Sequence, residues 1–107
     1  MKGKLTAEFW DTVRQSAERR LVALQRTSYD NLKALPEGAG QGNEVINGNK
    51  VSFCAHTWER QPGELILVVQ ATVRTLFFGW CSYELGVVLA PNGSVREASS
   101  EEILCVL

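Results

Sequence analysis

Residues 49–75 read Asn49-Lys50-Val51-Ser52-Phe53-Cys54-Ala55-His56-Thr57-Trp58-Glu59-Arg60, then Gln61-Pro62-Gly63, then Glu64-Leu65-Ile66-Leu67-Val68-Val69-Gln70-Ala71-Thr72-Val73-Arg74-Thr75. The two flanks are rich in β-branched and aromatic residues, and Pro-Gly between them is strong turn chemistry, so this stretch predicts a β-hairpin. If the Pro62 turn sets Thr57 opposite Leu67, and a second turn near Leu76 sets Leu67 opposite Leu85, the apolar residues of three strands agree on one face. That face collects Val51, Phe53, Ala55, Leu65, Leu67, Val69, Ala71, Val73, Cys81, Tyr83, Leu85, Val87 and Leu89. A one-residue slip would send each of them to the other side, so their agreement fixes the sheet's inner face.

Working outward, further strands are expected over residues 77–90 and 94–98, the second after the Pro91-Asn92-Gly93 turn, and a short one around Val45 ahead of Asn47-Gly48. The break at Thr75-Leu76-Phe77 contains no Gly, Pro or Asn. Toward the N-terminus, Trp10, Val13, Ala17, Leu21, Leu24, Ser28, Leu32 and Leu35 recur at spacings of three or four, which marks one face of a helix. Thr6 is its expected N-cap and Pro36 its stop. Thr27-Ser28-Tyr29-Asp30 is a weak helix former, but the pattern predicts one element over residues 6–35, about 44 Å long. Residues 36–43, with Gly38, Gly40 and Gly42, read as a flexible linker. A phosphate loop would run from a strand into a helix, and here the order is reversed. Ser99-Ser100-Glu101-Glu102 fits a capping box and starts a short helix over residues 100–106.

The sequence therefore predicts one α+β domain over residues 1–107: a long N-terminal helix on a curved antiparallel meander of about four strands, closed by a short C-terminal helix. A long helix wrapped by strands of this length resembles the cystatin-like fold in shape, and more loosely the cone of the nuclear-transport-factor-like fold. Cystatin-type inhibitors carry a Gln-x-Val-x-Gly hairpin, and Gln70-Ala71-Thr72-Val73-Arg74 does not match it. The resemblance implies a shape and no inhibitor activity.

Composition narrows the classes. The 107 residues are 45% hydrophobic and 21% charged, an ordinary globular profile able to bury a core. Eleven basic and twelve acidic residues are mixed along the chain, with net charge −1. Nucleic-acid affinity comes mainly from neutralised phosphates, so no nucleic-acid partner is expected. The polar, charged helix that follows Met1-Lys2-Gly3-Lys4-Leu5 cannot be the apolar core of a signal peptide, and the apolar run Leu65–Val69 is too short to span a bilayer. Cys54, Cys81 and Cys105 are odd in number and lack a CxxC spacing, which fits free thiols and a cytoplasmic address. No membrane partner and no cofactor are expected.

Candidate chemistry is sparse. His56, the single histidine, shares a face with Cys54, so a Cys–His nucleophile pair is conceivable, yet it lacks a family-type signature. Two such ligands do not make a zinc site. No paired carboxylates are evident. The face opposite the core carries Ser52, Cys54, His56, Trp58, Ile66, Val68, Gln70, Thr72, Arg74, Phe78, Trp80, Ser82, Glu84 and Val88, and is too apolar for a fully solvated sheet. The leading expectation is a non-enzymatic domain that forms a homodimer or binds a protein partner through Trp58, Ile66, Val68, Trp80 and His56. The alternative is a small-ligand pocket between helix and sheet, near Tyr83, Phe53 and Tyr29 or Trp10, with weak catalysis at most.

Overall fold

The computed structural model describes residues 5–75 and 79–107. Three helices and five strands follow in the order α1 (Ala7–Gln25), α2 (Tyr29–Lys33), β1 (Ala39–Ile46), β2 (Asn49–Gln61), β3 (Glu64–Thr75), β4 (Gly79–Leu89), β5 (Val95–Glu97) and α3 (Ser100–Val106). The strands form one antiparallel meander in sequence order. α1 lies across the inner face of this sheet, and α3 sits on the outer face.

α1 begins where the sequence places it, with the Thr6 hydroxyl accepting from the Phe9 amide and Glu8 in the first turn. Phe9, Val13, Ser16, Ala17 and Leu21 are its buried face. Phe9 is a core residue that the spacing analysis left out, packed edge-to-face on Trp10 with centroids 5.1 Å apart. The single helix over residues 6–35 is corrected to two. α1 ends at Gln25, and Ser28 restarts the chain as the N-cap of α2, its hydroxyl accepting from the Asn31 amide. The polar residues of Thr27-Ser28-Tyr29-Asp30 prefer local side-chain bonds to helix continuation. α1 is thus 19 residues long, about 28 Å, and the break lets α2 turn back onto β2. There Tyr29 donates to Glu59, and Lys33 pairs with the same carboxylate at 3.3 Å.

The flexible linker is also corrected. Residues from Ala39 onward are strand, paired with β2 from Ala39↔Ala55 to Ile46↔Asn49. Asn47-Gly48 closes this hairpin with both φ angles positive, at 47° and 77°, the requirement of a two-residue primed turn. The Pro62-Gly63 hairpin forms as expected, with Thr57 opposite Leu67 and Gly63 at φ 83°. The β3–β4 register differs by two residues from the expected one: Leu67 faces Val87, not Leu85. A shift of two keeps every side chain on its face, so the core assignment survives. The expected start of a strand at Phe77, and the outer-face position of Phe78, lie outside the described residues.

The inner core joins α1 and α2 to Ile46, Val51, Phe53, Leu65, Leu67, Val69, Ala71 and Val73, with Tyr83, Leu85, Val87 and Leu89 packed at its margin. β3 records how far each layer reaches. Its first six residues, Glu64 to Val69, are buried on both faces, and beyond them buried and partly exposed positions alternate. The alternation marks the point where cover on the outer face ends.

Candidate interaction face

α3 supplies that cover. It is nucleated by the capping box read from the sequence: the Ser99 hydroxyl accepts from the Glu102 amide, and the Glu102 carboxylate accepts from the Ser99 amide. Ile103 and Val106, three residues apart on one helical face, then pack against Ile66, Val68, Val88 and Ala98. Close approach depends on Gly86. A Cβ at that position would lie 3.1 Å from both the Leu67 carbonyl oxygen and Val68 Cγ2, and 3.3 Å from Ile103 Cγ1. The helix is anchored by charge as well. Glu102 pairs with Arg96 at 2.6 Å and Arg60 at 2.8 Å, and Arg60 also binds Glu64. These partners, Arg96 foremost and then the Ser99 amide, hold the Glu102 carboxyl far below the usual carboxylate range.

The five residues expected to form one surface are therefore divided. Ile66 and Val68 have no solvent exposure and are covered by the chain's own helix. Trp58 is 41% exposed and lies beside α3, where it shares a cleft of about 290 Å³ with His56, Lys33, Leu35 and Cys105. Trp80 is 66% exposed at the other end of the sheet. Trp58 stands opposite Ile66, and Trp80 opposite Arg74, so the two indoles are eight residues apart along β3, about 26 Å. They belong to two separate places.

Between those places the outer face carries a polar row. Cys54, Gln70 and Glu84 are cross-strand neighbours, with Ser82 and His56 alongside. In the expected register Glu84 stood opposite Val68; it stands opposite Gln70 instead. The Gln70 amide nitrogen donates to Glu84 at 3.4 Å, and Ser82 donates to the same oxygen at 2.7 Å. This turns the Gln70 carbonyl toward His56 Nε2, 3.1 Å away, and toward Cys54 Sγ, 3.5 Å away. A nitrogen facing a carbonyl oxygen at that distance carries the proton, so Nε2 donates to Gln70. The same nitrogen is the one 3.4 Å from Cys54 Sγ, and as an N–H it cannot take the thiol proton. Burial also pushes the Cys54 thiol up, away from the reactive thiolate. Cys54 and His56 share the face on which the sequence placed them, and they meet in an arrangement that leaves the thiol unactivated. Among the described residues no cluster of three or more metal-ligating side chains occurs.

Three of the four residues considered for an internal pocket have partners of their own. Phe53 is buried beneath the Arg20 guanidinium, 3.8 Å from its ring centroid, and Arg20 also binds Ser16, Glu44 and the Gln41 carbonyl. Trp10 packs on Phe9, and Tyr29 donates to Glu59. Among the described residues no helix is long and apolar enough to cross a membrane. Comparison with protein-family models, with curated proteins and with solved structures finds no match.

The feature that sequence reasoning missed is the outward edge of β4. β5 pairs with β4 only from Val87 to Leu89. From Gly79 to Leu85, β4 has β3 on one side and, among the described residues, no strand on the other. The signal was present in the expected strand lengths: a strand over residues 94–98 cannot cover a neighbour over residues 77–90.

Proposed function

We propose that this chain is a non-enzymatic protein-interaction domain that buries the Trp80 end of its outer sheet face against another polypeptide. The observation that carries this reading is an indole 66% exposed on a strand with an open edge, in a domain whose outer-face aliphatic residues, Ile66, Val68 and Val88, are covered by α3 and whose other outer-face indole, Trp58, is less exposed at 41%. Tryptophan is among the residues most enriched at the centres of protein interfaces, because its large rigid surface gains most from leaving water. The hydrogen-bonded state of Cys54 and His56 supports the non-enzymatic half of the reading.

Oxidative footprinting of the tryptophan side chains tests it. Trp80 is expected to be reactive in dilute protein and protected at high concentration or inside expressing cells, with Trp58 changing less. Equal Trp80 reactivity in all three settings rejects the reading.

A further inference from the structure

Resting on that reading, we infer that the partner is a second copy of this chain, joined to the first by antiparallel pairing of the two β4 edges about a two-fold axis at Ser82. The inference begins with which backbone groups point outward. The Gly86 carbonyl accepts from the Ala98 amide, so Gly86 directs its backbone groups away from β3. Residues two apart on a strand point the same way, and Glu84, Ser82 and Trp80 therefore present their N–H and C=O groups to the open edge. Their side chains share the outer face.

An exposed row of this kind is a template for another strand, and natural sheets ordinarily blunt it with lysine, proline or a bulge. Here none of these devices is present. The edge reads Gly79-Trp80-Cys81-Ser82-Tyr83-Glu84-Leu85, with one charge, and β3–β4 pairing runs from Leu65↔Leu89 to Thr75↔Gly79 without a register shift.

Two-fold pairing restricts the register further, because outward-facing residues must meet outward-facing residues. Centring on Glu84 would set two carboxylates directly opposite each other. Centring on Tyr83 would set Trp80 opposite Gly86, whose carbonyl already accepts from Ala98, and leave the two Ser82–Glu84 pairs with four backbone hydrogen bonds. Centring on Ser82 pairs Ser82 with its own copy and Trp80 with Glu84 of the second copy, twice. This register uses all three outward residues and forms six backbone hydrogen bonds. It also brings each indole N–H beside a carboxylate whose two internal hydrogen bonds both fall on Oε1, leaving Oε2 to accept. The donor and acceptor pattern of the edge is thus complementary to its own two-fold image, and the one charge per copy meets a donor and not its like, which favours a second copy over an unrelated strand.

The experiment is sedimentation equilibrium on the whole chain and on Ser82→Pro. Proline removes an N–H that faces the edge and not β3, a position sheets tolerate. The expected result is a dimer for the unaltered chain and a monomer for Ser82→Pro with an unchanged circular-dichroism spectrum. A chain that stays monomeric at high concentration overturns the pairing while leaving a different protein partner at Trp80 open. A dimer that survives Ser82→Pro overturns the edge while keeping the interaction reading.

Should Ser82→Pro fail to fold, Ser82→Cys decides, in a background with Cys54, Cys81 and Cys105 replaced by serine. Efficient oxidation to a covalent dimer supports the axis, and failure to cross-link overturns it.

Discussion

The two edges of this sheet are built in opposite ways. At β1, one extra residue between Gly40 and Asn43 makes a bulge against β2, and Gly42 has a φ of 97°. The strand is then tied to α1. Arg20 donates to the Gln41 carbonyl at 3.1 Å and pairs with Glu44 at 3.2 Å, while Ser16 donates to the same carboxylate. These contacts hold Glu44 below the ordinary carboxylate range, with the Ser16 hydrogen bond the first cause. A bulged strand whose carbonyl is occupied by a guanidinium is a poor template. β4, continuous and untied over Gly79–Leu85, is a good one. Both edges belong to the same five strands, so sheet topology does not distinguish them; side chains do.

The largest expected effect touches both edges alike. Leu67 is fully buried at the centre of the inner core, and Leu67→Ala is expected to cost about 2–5 kcal/mol in urea unfolding. Amide exchange should accelerate across β1 and β4 together, and a loss confined to one edge would mean the sheet is not one cooperative unit.

A smaller change breaks the contrast on one side. Arg20→Ala removes the cation over Phe53, the Gln41 contact and a partner of buried Ser16. It is expected to cost about 2 kcal/mol, in the range of hydrogen bonds to charged groups. Exchange should rise in β1 while β4 is unchanged. Equal loss at both edges would show that Arg20 supports the core and not the β1 edge.

Acid should lengthen the open edge. Arg96 on β5 and Glu102 on α3 hold each other, and together they cover the outer end of β4. A carboxyl depressed in the folded state contributes stability above its unfolded value, about 4.3 for Glu, which fades as pH falls toward the folded value. Amides of β5 and α3 are therefore expected to lose protection below about pH 4, with Glu102→Gln producing the same loss at neutral pH. Protection that is flat with pH would remove the ionic clamp from the account.

The smallest effect lies in the polar row that runs from β2 across β3 to β4. Cys54 should react with a disulfide reagent more slowly than exposed Cys105, and His56→Ala should not slow it further. A marked slowing would restore the Cys–His pair as chemistry.

Much of this was legible in the sequence because it is local. The Pro62 turn and the α3 capping box each follow from residues within a few positions of one another, and the inner face follows from period-two alternation within each of three strands. The helix break was visible in Thr27-Ser28 but was outweighed by apolar spacing that continues through Leu32 and Leu35. The Val45 end of β1 was read ahead of Asn47-Gly48, a primed turn that needs a strand on both sides, while its start at Ala39 was hidden by Gly40 and Gly42. The β3–β4 register was set two residues off because the marker is Gly79, at φ 76° and paired with Thr75, and not the residues at the break. The outer face divided for a tertiary reason: how far α3 reaches depends on Gly86 and on two arginines distant in sequence. No local pattern carries that distance.

The central claim concerns three amides, and hydrogen exchange followed residue by residue at low and high protein concentration addresses them directly. Cys81 and Tyr83 face β3 and should be protected at every concentration. Trp80, Ser82 and Glu84 should exchange freely when dilute and become protected together as concentration rises. Three amides that stay unprotected at high concentration would contradict the account.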